Sequence, residues 1–595
     1  MFKFFLCNYF RNQNNNDRLL IFILAFVLQM VALNHLLLLY EADSAGFLEI
    51  ANSYLQLSPN FSSYRPPMFS LLLIFTGVPW LESFYGIIFL HCILGILSPL
   101  LVYEMLLPIN RTLSLFTSFI LCGSWITFLN VKTITADQVL LFNIIFTYFI
   151  FSRFIFTRNK KFIYLTAVSG LAAMFTRWEG AFVLVSAMLG ITLYVLRPYT
   201  SCVKSSHPSY TNKWLRKLNL KHLFGSYLII LSVVSFYSLS RCYYFRDFSL
   251  FGKLQEGSDQ QLFWRVTTDL SYYTSAWKNL LGPRWTTSLM PADNILASSQ
   301  GPYAQEVRGL IFKALHERPE NFKEFPIYEA AIGSDSSKPV EELRYKLFGR
   351  FTNNPSGFVE YLFSKDTIID PHYSQYYTFL ISILLGQNVS GTKYRNIVGG
   401  WAKEIMVKNH WMYLEILRAA LAAFGVPLEN IIQFLLNNSD AQTTLFKNIK
   451  DHCNIWSNYC GFHINYDIAN YASRTLSAKF FSEYKKEYEQ FDIRKHRAHL
   501  FHKTVSLMRN SVRNILGPIF LLFGVGIFFS RWKVFYLSIL LGLFGVVGVI
   551  SFVGEGPANN KYEGSTLPLI IILSTCTIFT IVLYVKNHIR PLFRS

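Results

Sequence analysis

Charge is what this sequence has least of. Only 15% of its 595 residues are Asp, Glu, Lys or Arg, whereas 52% are hydrophobic and 17% aromatic, and the mean hydropathy is +0.29. A soluble chain of this length carries more charge and fewer aromatics. The composition therefore excludes an ordinary soluble enzyme and points to a polytopic membrane protein. Six of the eight cysteines are scattered, with no framework of spacings. Also missing are a Walker loop, G-x-G-x-x-G, H-E-x-x-H and a G-x-S-x-G elbow, which disfavours an ATP-driven pump and a soluble-type hydrolase.

What is present is a set of long apolar runs. About 20 apolar residues cross the hydrocarbon core. By that rule spans fall near 19–40, 84–107, 113–130, 138–156, 162–176, 180–196, 223–243, 514–529, 534–552 and 566–585. The shortest, such as 162–176, are expected to be half-helices buried against others. The first run is too long for a cleaved signal peptide and lacks a small-residue cleavage site, so it is expected to remain as a span. The Asn-rich leader 1–18 shows no structural pattern.

Basic residues set the expected orientation. With a cytoplasmic N-terminus, the inner segments 1–18, 108–112, 153–161, 197–222, 530–533 and 586–595 carry 19 Lys/Arg and one acid, Asp17. The short outer segments carry Arg65, Lys132, Arg177 and Lys561. That asymmetry places both termini in the cytoplasm. It also accounts for the net charge of +19 through topology and anionic lipid, with no nucleic-acid partner.

The first outer loop, 41–67, holds the densest chemistry. It brings Glu41, Asp43, Glu49 and Arg65 to one membrane face, together with Tyr54 and Tyr64. Phe47, Ile50, Ala51 and Tyr54 have the spacing of a short helix lying in the interface. Asp43 then has two readings, a functional carboxylate or the N-cap of that helix. Arg65-Pro66-Pro67 closes the loop in extended geometry, and the chain re-enters the membrane as Met68–Phe75. Within span 1, His35 could line the same cavity as Asp43 or simply bond a neighbouring helix.

These segments resemble the GT-C glycosyltransferases, in the protein-mannosyltransferase and aminoarabinose-transferase-like branch. Bacterial members read D…Y…A…RPP before a leucine-rich span; this chain has Asp43…Tyr54…Arg65-Pro66-Pro67-Met68-Phe69. Thr135-Ala136-Asp137-Gln138 stands where the family has a small residue and Glu. Gly170-Leu171-Ala172-Ala173-Met174-Phe175-Thr176-Arg177-Trp178-Glu179-Gly180 is similar to the family's G-L-A-x-L-T-R-x-E-G hairpin. Lys561-Tyr562 before Pro568 resembles an Arg-Tyr that opens a late span. The likeness covers roughly 1–243 and the last 80 residues. Asp137 and Lys561 depart from the commoner Glu and Arg.

The resemblance implies an all-α polytopic membrane enzyme: a GT-C-like helix bundle using a polyprenyl-phosphate sugar as donor, in a cavity under the first outer loop. Its partners would be that lipid-linked donor, membrane lipids, and an acceptor glycan, lipid or protein. Attack on the anomeric carbon needs a base, for which Asp43 is the first candidate, with Glu41 and Asp137 behind it. The departing phosphate needs cationic stabilisation, for which Arg65, Arg177 and Lys561 are candidates; snorkelling to headgroups is their plain alternative. Arg177 has a further alternative, an ion pair with Glu179. Tyr64, Glu179, Tyr562 and His35 would line the cavity. Glu41 and Asp43, on one side of an extended strand, could hold a divalent cation, Mg or Mn, through oxygen ligands; no cofactor is otherwise implied. The resemblance ranks a bacterial cell membrane ahead of endoplasmic reticulum.

The remaining architecture is expected as an N-terminal membrane module, 19–243, an extracytoplasmic and mostly helical region, 244–513, and a C-terminal membrane module, 514–595. In the middle region His452, Cys453, Cys460 and His463 suggest zinc by type, but C-x6-C is wider than zinc spacing, so a disulfide is the simpler account. The runner-up function is a transporter or flippase for a lipid-linked or anionic solute, although no repeat relates 1–243 to 514–595.

Overall fold

The computed structural model describes residues 14–36, 42–56, 65–196, 210–245, 533–553 and 560–588, with short stretches such as 476–482 and single positions between them. Twelve helices and no strand appear among them. Five of these helices are long and apolar enough to cross a membrane. The 452–463 cluster lies outside the described residues, as does nearly all of 244–513 and 514–529. The chain divides into two units, and all twelve helices belong to the one containing both ends of the sequence.

Helix α1 (Asn15–His35) is followed by α2 (Ala42–Leu55), α3 (Pro67–Phe75) and α4 (Val78–Leu81), all short. Then come α5 (Tyr85–Leu106), α6 (Arg111–Gly123), α7 (Asp137–Thr157), α8 (Lys161–Thr176) and α9 (Gly180–Leu196). Helix α10 (Tyr210–Phe245) and the late pair α11 (Lys533–Val553) and α12 (Asn560–His588) complete the unit.

The expected face of α2 is the one that packs: Phe47, Ile50 and Ala51 are buried while Glu49 is exposed. Its partner is α3, through the Phe47–Phe69 ring contact and the Ser70 hydroxyl donated to the Phe47 carbonyl at 3.0 Å. Pro66 is extended (φ −59°, ψ 144°) and Pro67 opens α3, as a proline at the first helical position should. Nine residues rise only about 14 Å, too little to cross a bilayer. The turn exposes Phe75, Trp80, Leu81 and Tyr85, side chains suited to the headgroup boundary.

One expected span is corrected. The run 113–130 is helical only to Gly123; Trp125 then takes φ +60° and residues 124–136 continue as turns. Trp125, Ile126, Phe128, Val131 and Ile134 of this segment are nevertheless buried. Tertiary packing, not a transmembrane helix, accounts for their apolarity. Span 1 also stops early, at His35, with Leu36 extended.

Helix ends sort into two groups. At one, the Arg111 end, Arg111 makes a bidentate contact with Asp17 (2.5 and 2.8 Å) and the Tyr103 hydroxyl donates to the same carboxylate at 3.0 Å. Beside it, Glu104 accepts from Arg18 at 2.7 Å and from Arg153 at 2.5 Å. The single inner acid expected from charge counting is therefore neutralised, and a second acid, Glu104, joins it from the end of α5. At the opposite, Arg177 end lie α2 to α4, the 124–136 turns and the α8–α9 turn.

Small residues let α11 lie close along α9. Gly190 meets Ser538, while Gly542 and Gly545 meet Ser186 and Phe182. This antiparallel contact brings the close of α11 and the start of α12 to the Arg177 end. The other end of the contact leaves an open apolar groove of about 420 Å³ lined by Leu193, Leu196, Lys533 and Val534.

Candidate functional site

The best-defined polar constellation at the Arg177 end is built from two helix junctions. Arg177 caps the C-terminus of α8 in extended conformation (φ −152°), its amide donating to the Ala173 carbonyl at 3.1 Å. Trp178 and Glu179 follow, and Gly180 opens α9. Gly180 is required: a Cβ there would stand 2.2 Å from the backbone of Ala173. The sequence therefore turns back in two residues and aims Arg177 and Glu179 into the bundle.

Asp137 arrives from the other junction, as the first residue of α7. The Nη1 of Arg177 donates to its Oδ1, and the Thr135 hydroxyl donates to Oδ2 at 2.7 Å. The Nη2 of Arg177 reaches Glu179 Oε1 at 3.2 Å. Asp137 and Glu179 are buried and Arg177 nearly so. Helix dipoles favour this arrangement, with the carboxylate at an N-terminus and the guanidinium at a C-terminus. The triad carries one net negative charge.

Asp137 does not cap α7 with its side chain; it is half of a buried ion pair. For Arg177, the ion-pair alternative is the one present, and it extends to Asp137 as well as Glu179.

Arg65 lies elsewhere at this end. Its guanidinium carbon sits 4.7 Å above the Phe47 ring, and its Nε occupies the space where a Gly46 Cβ would be, 2.7 Å away. Gly46 thus permits the loop to fold over α2. His35, the last residue of α1, stacks on Phe501 at 5.1 Å, and Phe501 meets Trp125 edge-on at 5.2 Å. An aromatic contact, not a helix-to-helix hydrogen bond, is what holds it.

The side chains of Glu41, Asp43, Tyr64, Lys561 and Tyr562 lie outside the described residues. Their backbone is informative for two segments. Helix α2 begins at Ala42, so Asp43 is in its first turn and not in an extended strand. Lys561 and Tyr562 belong to the first turn of α12. Among the described residues, no group of three or more His, Cys, Asp or Glu is placed to hold a metal.

Aromatic residues connect α2 to the triad. Burial pushes the Tyr54 phenol above its ordinary pKa, and neighbouring Tyr237 adds to the shift. Tyr237 of α10 packs on Phe175 at 5.1 Å and on Trp178 at 6.2 Å, beside Arg177. Tyr237 was not expected from sequence, since an aromatic on a long apolar helix carries no signal of its own; the sequence places Thr135 only in the Thr135-to-Gln138 motif, not as a partner of Asp137.

Compared with protein-family models, with curated proteins and with solved structures, the chain matches none.

Proposed function

We propose that the chain is a membrane glycosyltransferase that moves a sugar from a polyprenyl-phosphate-linked donor to an acceptor at the extracytoplasmic face. The observation that carries this reading is convergence. Arg65-Pro66-Pro67, Asp137, the Arg177-to-Gly180 turn and the start of α12, distant in sequence, share one end of the bundle. They are the segments that the resemblance singles out.

In this reading an acceptor hydroxyl oxygen attacks the anomeric carbon and its proton passes to the Asp43 carboxylate. The bond from that carbon to the phosphate oxygen breaks, and the electron pair leaves with the polyprenyl phosphate. Arg177 already serves two carboxylates, so its first task is to fix Asp137 and Glu179. A donor phosphate would compete with Glu179, the contact at 3.2 Å. Arg65, Lys561 and the phenols of Tyr64 and Tyr562 supply the remaining donors.

The test separates a base from a structural acid at Asp43. Asparagine keeps an oxygen and supports a first helical turn nearly as well, but it cannot accept the proton. Asp43→Asn should retain expression and thermal stability while losing transfer by at least about a hundredfold. A fully active asparagine variant moves the role of base to another carboxylate.

A further inference from the structure

Four completely buried polar side chains gather where α1, α5 and α7 meet the 124–136 turns: Gln29, His91, Thr127 and Gln138. Each is only half used. Gln138 Nε2 donates to the Thr127 carbonyl at 2.9 Å, and His91 Nδ1 lies 3.3 Å from the Val131 carbonyl. Gln29 Nε2 reaches only the Cys92 sulfur, at 3.7 Å. Among the described residues, Gln29 Oε1, His91 Nε2, Thr127 Oγ1 and Gln138 Oε1 are left without partners.

Gly95 shows how close these groups come. A Cβ there would lie 2.5 Å from Gln29 Oε1, 2.7 Å from the Thr127 carbonyl oxygen and 3.4 Å from Gln138 Nε2. His91 sits four residues earlier on the same helix face. Pro99, also in α5, has no amide hydrogen, so the Gly95 carbonyl lacks its helical donor.

The chemistry of the unpartnered atoms is one-sided. A carbonyl cannot donate, so His91 Nδ1 must carry the proton toward Val131, leaving Nε2 as a lone pair. The two glutamine oxygens only accept. Against three acceptors stands one donor, the Thr127 hydroxyl. Rotating the Gln29 amide would turn its NH2 toward Thr127 and its oxygen toward the Cys92 thiol. That rotation still leaves Gln138 Oε1 and His91 Nε2 unpaired. Buried polar groups are almost always paired, by protein or by water, and an internal water supplies about three hydrogen bonds to such groups.

We propose that the unpartnered lone pairs of this cluster hold a small ligand inside the helix bundle: an internal water, or a monovalent cation in its place. It lies one residue along α7 from Asp137, and it stands whether or not the chain transfers sugar.

The test is a density map of the full chain in lipid nanodiscs, resolved well enough to show waters, in sodium chloride and in choline chloride. The expected result is a peak within hydrogen-bonding reach, about 3.2 Å, of Gln29 Oε1 or Gln138 Oε1, absent in Gln138→Leu. The same peak in both salts, with unchanged melting temperature, identifies water. A peak and a raised melting temperature in sodium alone identify a cation. No peak in either salt, with Gln138 Oε1 and His91 Nε2 paired within the protein, overturns the proposal.

Discussion

Arg177 bonds Asp137 across 40 positions of sequence, tying the turn after α8 to the first residue of α7. Removing the guanidinium leaves two buried carboxylates uncompensated, so Arg177→Gln should cost about 3–5 kcal/mol; Asp137→Asn leaves Arg177 paired with Glu179 and should cost less. The double variant should cost less than the sum, since each loss relieves the other. Denaturant unfolding in detergent measures all three; single variants as stable as wild type would contradict a buried pair.

Gly180→Ala tests the turn itself. The added methyl would meet the backbone of Ala173 and Met174 at 2.2 and 2.6 Å. Backbone cannot swing aside as a side chain can, so a loss of about 1–3 kcal/mol is expected. Gly123→Ala, where nothing lies within 4 Å, is the control and should be neutral or slightly stabilising in the same unfolding experiment.

Orientation is tested by cysteine labelling in sealed cells. Ser83 precedes α5 at the Arg177 end, while Asn159 joins α7 to α8 at the opposite end. The charge asymmetry predicts that Ser83→Cys reacts with an impermeant maleimide and Asn159→Cys does not. Cys92, Cys122 and Cys576 are buried, but Cys242 is partly exposed, so Cys242 and the four cysteines outside the described residues are replaced by Ser before labelling. The reverse pattern would invert the topology and put the Arg177 end in the cytoplasm.

These variants also mark where the sequence was readable. Expected spans 84–107 and 180–196 match α5 and α9 within a residue, because a lipid-length apolar run bounded by polar residues has few alternatives. The α2 face was legible from spacing, and the α3 start from Pro66-Pro67. Hydropathy misread 113–130, since burial by protein and burial by lipid demand the same residues. Only the left-handed Trp125 distinguishes them, and that is a backbone fact. The pairing of Asp137 was not legible for another reason: its partner Arg177 lies on a different hairpin, beyond the reach of local pattern. Gln29 is polar within an apolar run, but its convergence with His91, Thr127 and Gln138 needed the packing of α1, α5, α7 and the 124–136 turns.

Sugar transfer itself is best tested by donor turnover. Purified full-length protein in nanodiscs would be given a polyprenyl-phosphate-linked labelled sugar and a mixture of hydroxyl acceptors, and release of free polyprenyl phosphate would be followed. Wild type should consume the donor, and Asp43→Asn, equally folded, should do so at least about a hundredfold more slowly. An intact donor in nanodiscs, together with its movement across the membrane of sealed vesicles containing the wild-type chain, would contradict sugar transfer and identify a flippase instead.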